Sequence, residues 1–260
     1  MLVDSHCHLD RLDLSPFDGS LDLALDAARQ VGVKQFLCVA INVDNQAAVT
    51  KLAENHPDIY ASVGIHPLYT QGQMVDNNYL VNQAAHEKVI AIGETGLDYY
   101  YAKESKPEQQ MLFRTHVQAA VEAELPLIIH TRDARQDTLD MLKAEGAEKH
   151  GGVLHCFTES LAMAEEAMAM GFYISFSGIV TFKNAQELQQ VAKEIPADRI
   201  LVETDSPYLT PVPFRGKPNS PRHVVDVARF VASLREENFE QFCLQTTQNF
   251  NRLFPTGLKT

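Results

Sequence analysis

Apolar segments of strand length alternate along the chain with longer segments whose apolar residues recur at the period of a helix. In chain order, the predicted strands are 1–5, 35–41, 59–65, 89–94, 126–130, 153–156, 172–177 and 199–203. The predicted helices are 21–30, 44–54, 76–86, 107–124, 134–142, 160–170, 184–193, 221–235 and 237–252. Pro107 is tolerated in the first turn of its helix, and Asp133 is the expected N-cap of the next one. The regular strand-then-helix order predicts a parallel sheet with helices packed on it.

Length and composition favour the closure of that sheet into one barrel. The 260 residues are near the roughly 250 typical of a (β/α)8 TIM barrel, and no linker or composition shift divides them. We therefore expect an α/β fold with a single domain over residues 1–260, and an open, doubly wound sheet is the alternative. The apolar segments fall well short of the ~20 residues that span a bilayer, so no membrane association is expected.

The location of the protein is predicted from its first residues and its cysteines. Residues 1–6 have neither the basic region nor the apolar stretch of a signal peptide, so a cytoplasmic location is expected. Cys7, Cys38, Cys156 and Cys243 form no C-x-x-C pair, and we expect four reduced, structural thiols. No obligate protein partner is evident, and a monomer is expected.

Side chains able to bind a divalent metal recur at or just past the ends of predicted strands. There are six of them: His6, His8, Glu94, His130, His155 and Asp205. The carboxyl ends of the strands meet at one face of a parallel barrel, where such barrels keep their active sites, so the six should converge. A lone histidine at a strand end is more often a hydrogen-bonded rim residue. The repetition on separate strands instead predicts a metal-dependent hydrolase.

The local context of these residues supports metal chemistry. Side chains two apart in an extended segment point to the same side, so His6 and His8 can reach one cation. Glu94 stands between glycines, which allow a sharp turn and the close approach of a ligand. Asp205 is expected to bind metal and to orient or deprotonate a water. Glu203, two residues earlier, is expected to hydrogen-bond a ligand histidine rather than to bind the ion itself.

Seven motifs extend this pattern over nearly the whole chain. They are His6-Cys7-His8, Gly64-Ile65-His66-Pro67, Gly93-Glu94-Thr95-Gly96-Leu97-Asp98, His130-Thr131-Arg132, Leu154-His155-Cys156-Phe157, Glu203-Thr204-Asp205-Ser206-Pro207 and Thr247-Gln248-Asn249-Phe250. In this order they resemble the TatD family of metal-dependent deoxyribonucleases, and segments 94–101 and 208–217 are most similar to its YcfH-like branch. The resemblance implies a TIM-barrel hydrolase of the amidohydrolase superfamily that cuts DNA phosphodiesters. It also implies that the six residues named above are the metal ligands.

The ligand set is compatible with a two-metal mechanism in which Glu94 and Asp205 take part in catalysis. Two divalent cations per subunit, Mg2+, Mn2+ or Zn2+, bridged by Glu94, would acidify a shared water and polarise a phosphoryl oxygen. His6, His8 and Asp205 are expected to hold one ion. His130 and His155 are expected to hold the other. The leading interpretation is a deoxyribonuclease, in particular an exonuclease, that acts on DNA ends or single strands.

His66 and Arg132 are candidate substrate contacts. His66 lies just after a predicted strand, where it could bind a phosphate oxygen or a nucleotide, or only fix the turn at Pro67. Arg132 follows a candidate ligand and could pair with phosphate in a bidentate way. A salt bridge from Arg132 to Asp133 or Asp137 is the competing interpretation.

Arg215 is the third candidate for substrate binding. Together with Lys217 it stands in a segment rich in Pro and Gly that suits a loop over the barrel mouth, although both side chains could equally be solvated surface charges. Tyr99, Tyr100 and Tyr101 could stack on bases or could simply pack. The net charge of -12 argues against a broad basic surface that coats a polyanion. A few local arginines and bound cations would still suffice for a nuclease.

Two other functions remain open. The first is an amidohydrolase-type enzyme that acts on a small cyclic amide or ester. Many binuclear members of that superfamily have a carbamylated lysine on the fourth strand, and Glu94 stands there instead, which disfavours this alternative. The second is a metal-stabilised scaffold without turnover, which fits poorly with an open, polar site.

Overall fold

Eight parallel strands pair in sequence order in this computed structural model, which describes residues 1–257. They are β1 (Leu2–Cys7), β2 (Val33–Cys38), β3 (Ile59–Val63), β4 (Val89–Asp98), β5 (Leu127–Arg132), β6 (Gly152–Leu154), β7 (Phe172–Phe176) and β8 (Ile200–Val202). Each neighbouring pair from β1 to β8 is parallel. The fold is a (β/α)8 TIM barrel, which confirms the predicted class and makes the open-sheet alternative wrong.

Helices follow the strands on the outside of the barrel. They are α1 (Leu21–Gln30), α2 (Val43–Asn55), α3 (Asn77–Ala84), α4 (Lys106–Ala123), α5 (Arg135–Ala144), α6 (Leu161–Ala169), α7 (Gln186–Glu194), α8 (Val224–Leu234) and α9 (Phe239–Leu253). Side-chain oxygens of Ser20, Asn42 and Ser160 accept from backbone N–H groups at the starts of α1, α2 and α6, which satisfies donors that a helix leaves free. No helix in residues 1–257 combines the length and the apolar character that crossing a bilayer requires.

The barrel closes between β8 and β1 just beyond the end of β8. The N–H of Asp205 donates to the carbonyl of His6 at 2.9 Å, and the N–H of His8 donates to the carbonyl of Ser206 at 2.8 Å. Below them, the buried Asp4 carboxylate accepts from the N–H of Thr204 at 2.8 Å. Residues of the first strand and residues that follow the last strand thus meet at one seam.

Two apolar clusters fill the molecule. The larger cluster packs the outer faces of the strands against the helices. The smaller one joins buried strand residues such as Leu37, Tyr60 and Ile128 to Phe250 and Phe254 near the end of α9. Because α9 contacts β1 and β8 and the residues that lead into β8, it packs near the amino-terminal ends of these strands. The opposite end of the barrel is left open for the polar side chains.

Two local predictions need correction. β4 continues four residues beyond Glu94 to Asp98, so Glu94 lies inside a strand rather than at its end. Gly93 and Gly96 adopt φ angles of 144° and 138°, which residues with a side chain rarely adopt. These backbone conformations let the strand continue through an irregular register. Asp133 is not the N-cap of α5: it has a left-handed φ of 52°, and Ala134 occupies the cap position without a side-chain hydrogen bond.

Candidate metal centre

The predicted ligands converge at the open end of the barrel. A cavity of about 440 Å³ is lined there by five of the six, namely His8, Glu94, His130, His155 and Asp205, and also by His66. The sixth, His6, is fully buried in β1, and its ring contacts Glu94 and Asp205. The structure therefore brings all six side chains together, although it does not test their roles as ligands.

Glu94 occupies the centre of this cluster. Its Oε2 atom lies 3.4 Å from Nε2 of His6. Its Oε1 atom lies 2.8 Å from Nε2 of His155, 3.2 Å from Nε2 of His66 and 3.4 Å from Nδ1 of His130. The two oxygens of one buried carboxylate thus face different imidazoles. Glu94 can reach them all from its place in the middle of β4.

One group of donors comes from the seam between β1 and β8. Ligating atoms of His6, His8 and Asp205 lie within 4.8 Å of one another. Nδ1 of His8 donates to the carbonyl of Val39 at 3.0 Å, which directs Nε2 toward Oδ1 of Asp205 at 3.3 Å. Cys7 faces away from the two histidines, since its thiol donates to the carbonyl of Leu37. The alternation of β1 thus separates two histidines from a core thiol, one of four free cysteines.

A second group contains a residue that we expected to contact substrate. Ligating atoms of His66, Glu94 and His130 also lie within 4.8 Å of one another. His66 is buried, and its Nδ1 accepts from the N–H of Leu68 at 3.1 Å, so that Nε2 is directed into the cluster. The hydrogen bond to Leu68 fixes the turn after His66, and the expected contact of His66 with substrate stays a prediction.

His155 is held between two carboxylates. Its Nδ1 lies 3.2 Å from Oε1 of Glu203, and its Nε2 faces Glu94. The same Glu203 oxygen accepts from the N–H of Cys156 at 2.8 Å. Glu203 is therefore in position to orient a histidine through the nitrogen that does not face the cavity centre, as expected for a carboxylate that supports a metal ligand. This role stays a prediction.

The charges of the cluster shift its protonation. Burial alone would raise the pKa of Glu94, but the neighbouring His155 and His66 charges hold it well below its ordinary value. Burial opposes protonation of His155, yet the charges of Glu94 and Glu203 outweigh it, so its pKa lies well above 6.5. Burial lowers the pKa of His6. The directions of these pKa shifts favour an ionised Glu94 beside a protonated His155.

Unpartnered buried atoms show that the residues fit a bound cation. Both ring nitrogens of His6 and Oε2 of Glu203 are buried without a hydrogen-bond partner among the described residues. Leaving such groups unpaired is costly, and imidazole with carboxylate is a donor set that Mn2+ and Zn2+ accept. A divalent metal would satisfy one ring nitrogen of His6 and neutralise Glu94 and Asp205.

At the mouth of the cavity, the guanidinium of Arg132 lies against two tyrosine rings. Its guanidinium carbon lies 4.7 Å from the ring centre of Tyr100 and 4.8 Å from that of Tyr101. Asp137, a suggested ion-pair partner, is instead bonded to Tyr99 Oη at 2.7 Å and to Lys106 Nζ at 3.0 Å. Cation–π contacts with the two tyrosine rings therefore take the place of the suggested ion pair with Asp137.

Arg215 behaves differently from Arg132. Its guanidinium carbon lies 4.1 Å from the ring centre of Phe182, and Arg215 is not among the residues that line the cavity. Of the three tyrosines, Tyr99 packs against Lys106, whereas Tyr100 and Tyr101 are 59% and 64% exposed and thus free to meet a ligand. In the sequence the three form one run, but the turn after β4 gives Tyr99 different surroundings from those of Tyr100 and Tyr101.

Sequence reasoning assigned no role to Asp98, which ends β4. Its Oδ2 atom lies 3.1 Å from Nε2 of His130. A signal for it was present: in an extended strand, residues four apart point to the same side, so Asp98 is expected on the same side as Glu94.

The comparisons with known proteins agree with this site. The family model described as TatD related DNase matches residues 3–255. The uncharacterized metal-dependent hydrolase YcfH of Escherichia coli (strain K12) is 49% identical over 253 residues, which cover 97% of this chain and 95% of the relative. The uncharacterized metal-dependent hydrolase YabD of Bacillus subtilis (strain 168) is 44% identical over 255 residues, 98% of this chain and 99% of the relative.

A solved structure gives the same result in three dimensions. The crystal structure of YjjV, a TatD homolog from Escherichia coli K12, matches with a TM-score of 0.89 and 30% sequence identity and covers 98% of both chains. The predicted resemblance, including that to the YcfH-like branch, is confirmed. Because family profile, relatives and fold agree over nearly the whole length, this chain belongs to the TatD family and is a metal-dependent hydrolase.

Proposed function

We propose that this hydrolase cleaves phosphodiester bonds of DNA, at ends or in single strands, and that two divalent cations assist it. The observation that carries the proposal is the orientation of the Glu94 carboxylate. Oε2 lies 3.4 Å from His6 and Oε1 lies 3.2 Å from His66, so each oxygen faces a different donor group. A carboxylate in this position can offer one oxygen to each of two ions, which is the arrangement that metal-assisted phosphoryl transfer uses.

The donor groups suggest how the ions would be held. His6, His8 and Asp205 would hold the first, and His66 with His130 the second, with Glu94 between them. His155, 2.8 Å from Oε1 of Glu94, would join once it loses its proton. This assignment adds His66 to the expected ligands.

The chain's own residues supply the remaining chemistry. Bound cations would neutralise phosphate charge and lower the pKa of a water. Burial alone would raise the pKa of Asp205, but its hydrogen bond to His8 and the nearby histidine charges lower it, so Asp205 is ionised and can accept a proton from the attacking water. Arg132 would pair with a phosphate oxygen at the mouth, where the rings of Tyr100 and Tyr101 orient its guanidinium.

The charge pattern favours binding of one or a few phosphates over binding of a long duplex. Among the described residues that line the cavity, Arg132 is the one arginine or lysine. The chain as a whole carries a net charge of -12. A long duplex would need a broad basic surface to replace its counterions, whereas a strand end places one phosphate in the cavity. The description of the family as TatD related DNase is in keeping with this substrate.

The test uses metal-free protein and oligonucleotides labelled at either end, single-stranded and double-stranded. We expect no shortening after EDTA treatment and restored shortening when Mg2+, Mn2+ or Zn2+ is titrated back. The variant Asp205→Asn should lose nearly all activity together with metal at its site. Asp140→Asn, the same change on the exposed face of α5, is the matched control and should retain both. An Asp205→Asn protein with full activity would overturn the proposal.

One feature favours a second candidate, hydrolysis of a small cyclic amide or ester. Apolar side chains of Ile41, Leu68, Ile179 and Leu209 line part of the cavity, and such walls suit a compact, uncharged substrate. A panel of lactones and cyclic amides, assayed with the same metal-loaded protein, separates the two. Turnover of the panel without cleavage of any oligonucleotide would favour this candidate.

A further inference from the structure

The Asp98 carboxylate connects the metal centre to the cavity mouth. Asp98 is fully buried at the end of β4. One oxygen, Oδ2, faces Nε2 of His130 at 3.1 Å. The other, Oδ1, accepts from the N–H groups of Tyr100 at 3.0 Å and Tyr101 at 2.7 Å. Its two oxygens therefore have separate tasks.

The contact with His130 selects a tautomer. An ionised carboxylate can only accept, so the proton of a neutral His130 must reside on Nε2. Nδ1 then keeps its lone pair, and this atom lies 3.4 Å from Oε1 of Glu94, in the second donor group. Carboxylates that hold the distal nitrogen of a metal-bound histidine fix both its orientation and its basicity.

The contact of Asp98 with the backbone N–H groups of Tyr100 and Tyr101 fixes the turn whose two rings lie against Arg132. The rings of Tyr100 and Tyr101 lie 4.7 Å apart and nearly perpendicular, at 89°, and both contact the guanidinium. Gln109 of α4 secures the same turn. It accepts from the N–H of Asp98 at 2.7 Å and donates to the carbonyl of Ala102 at 2.7 Å.

We propose that Asp98 is a positioning residue which sets the His130 tautomer for metal binding and, through the turn at Tyr100 and Tyr101, the placement of Arg132 for substrate phosphate. The substrate half of this inference rests on the proposed function. The metal half does not. The same buried carboxylate thus supports binding of the second cation and binding of the substrate.

The variant Asp98→Asn separates the two tasks. The two backbone N–H groups still need an acceptor, so the amide oxygen of Asn stays with them and the NH2 group faces His130. Nε2 must then accept, the proton moves to Nδ1, and the nitrogen that faces Glu94 loses its lone pair. We expect affinity at the second metal site to fall ~10- to 100-fold, with the first site unchanged.

The primary measurement is a metal titration of the apo-protein with Mn2+ or Zn2+, which requires no substrate. Asp137→Asn, the same substitution on a nearby carboxylate that binds Tyr99, is the matched control and should keep both sites. Gln109→Met loosens the turn while leaving Asp98 on His130, so it should raise KM several-fold and leave metal affinity unaltered. If Asp98→Asn binds two equivalents as tightly as wild type, the proposal is overturned.

A measurement on the wild type keeps the proposal testable even if the variant does not fold. Long-range nitrogen-15 NMR of the zinc-loaded protein reports which ring nitrogen of each histidine carries a proton. We expect His130 to show a protonated Nε2 and a metal-bound Nδ1, and the reverse pattern would overturn the role of Asp98. Because neither this spectrum nor the titration involves DNA, absence of nuclease activity would refute the proposed function without affecting this result.

Discussion

The imidazole rings of His6 and His155 are stacked, with centroids 3.9 Å apart and planes 10° from parallel. Burial and the adjacent His155 charge lower the pKa of His6, whereas the charges of Glu94 and Glu203 overcome burial and raise that of His155. The directions of these pKa shifts place the additional, charge-bearing proton of the stacked pair on His155 rather than on His6. This proton compensates Glu94 in the metal-free protein.

Metal binding should release that proton, because the cation and the proton compete for Nε2 of His155. We expect protons to be released near neutral pH, and metal affinity to rise with pH. Calorimetric titrations in buffers of different ionisation enthalpy measure the number of protons released. Glu203→Gln removes one of the charges that raise the pKa, so it should release fewer protons. Metal binding by the wild type without proton release would contradict the assignment.

Loss of the His66 imidazole should weaken metal binding as well as catalysis. If His66 belongs to the second donor group, His66→Ala lowers the affinity of one of two sites by more than about tenfold. Metal titration of the apo-protein measures this, and His86→Ala, a change at a partly exposed histidine paired with Glu54, serves as control. A variant with intact metal affinity and a raised KM would return His66 to the role of a substrate contact alone.

Gly96 should tolerate no side chain. Its φ is 138°, and a Cβ there would overlap the carbonyl of His130 on β5. We expect Gly96→Ala to lower the free energy of unfolding by at least about 2 kcal/mol, or Tm by roughly 4–8 °C. Gly72 also has a positive φ, of 71°, but open space around it, so Gly72→Ala should cost only the backbone strain. Equal thermal melting shifts for the two variants would rule out the steric explanation.

His116 should make stability fall in mild acid. Burial lowers its pKa to about 4, while its Nε2 accepts from the N–H of Ile65 at 3.0 Å. Since the unfolded chain takes up a proton near pH 6.5, the contribution of neutral His116 is complete above that pH. It is lost as the pH falls toward 4, by about 3 kcal/mol in total. Urea unfolding of wild type and His116→Gln across this range should give a flatter curve for the variant.

The sequence was sufficient for the barrel and for the convergence of the six candidate ligands. Periodicity placed α1 at the residues where it is found, because Ser20 caps it and Leu25 and Ala28 recur on its buried face. It ended β4 too early, because the glycines that flank Glu94 are typical of a turn. Their positive φ angles instead let the strand continue against β5, a tertiary effect that no local pattern contains.

The pairing of side chains within the site was harder to predict. Strand order brings His130 and His155 to one end of the barrel, but which imidazole meets which carboxylate depends on ring orientation. Asp98 and Glu203 determine two of these orientations across 32 and 48 residues of sequence. Likewise, the sequence favours Arg132, which follows a candidate ligand, but only the fold shows that Arg132 lines the cavity whereas Arg215 rests on Phe182.

The seam between β8 and β1 also orders events during synthesis. Asp4 and Thr204 meet across 200 residues of sequence, and His6 bonds to Asp205 beside them. A ribosome that has released the first half of the chain has delivered His6 and His8 but not Asp205. We therefore expect the candidate site of the nascent polypeptide to stay incomplete until the residues after β8 dock against β1.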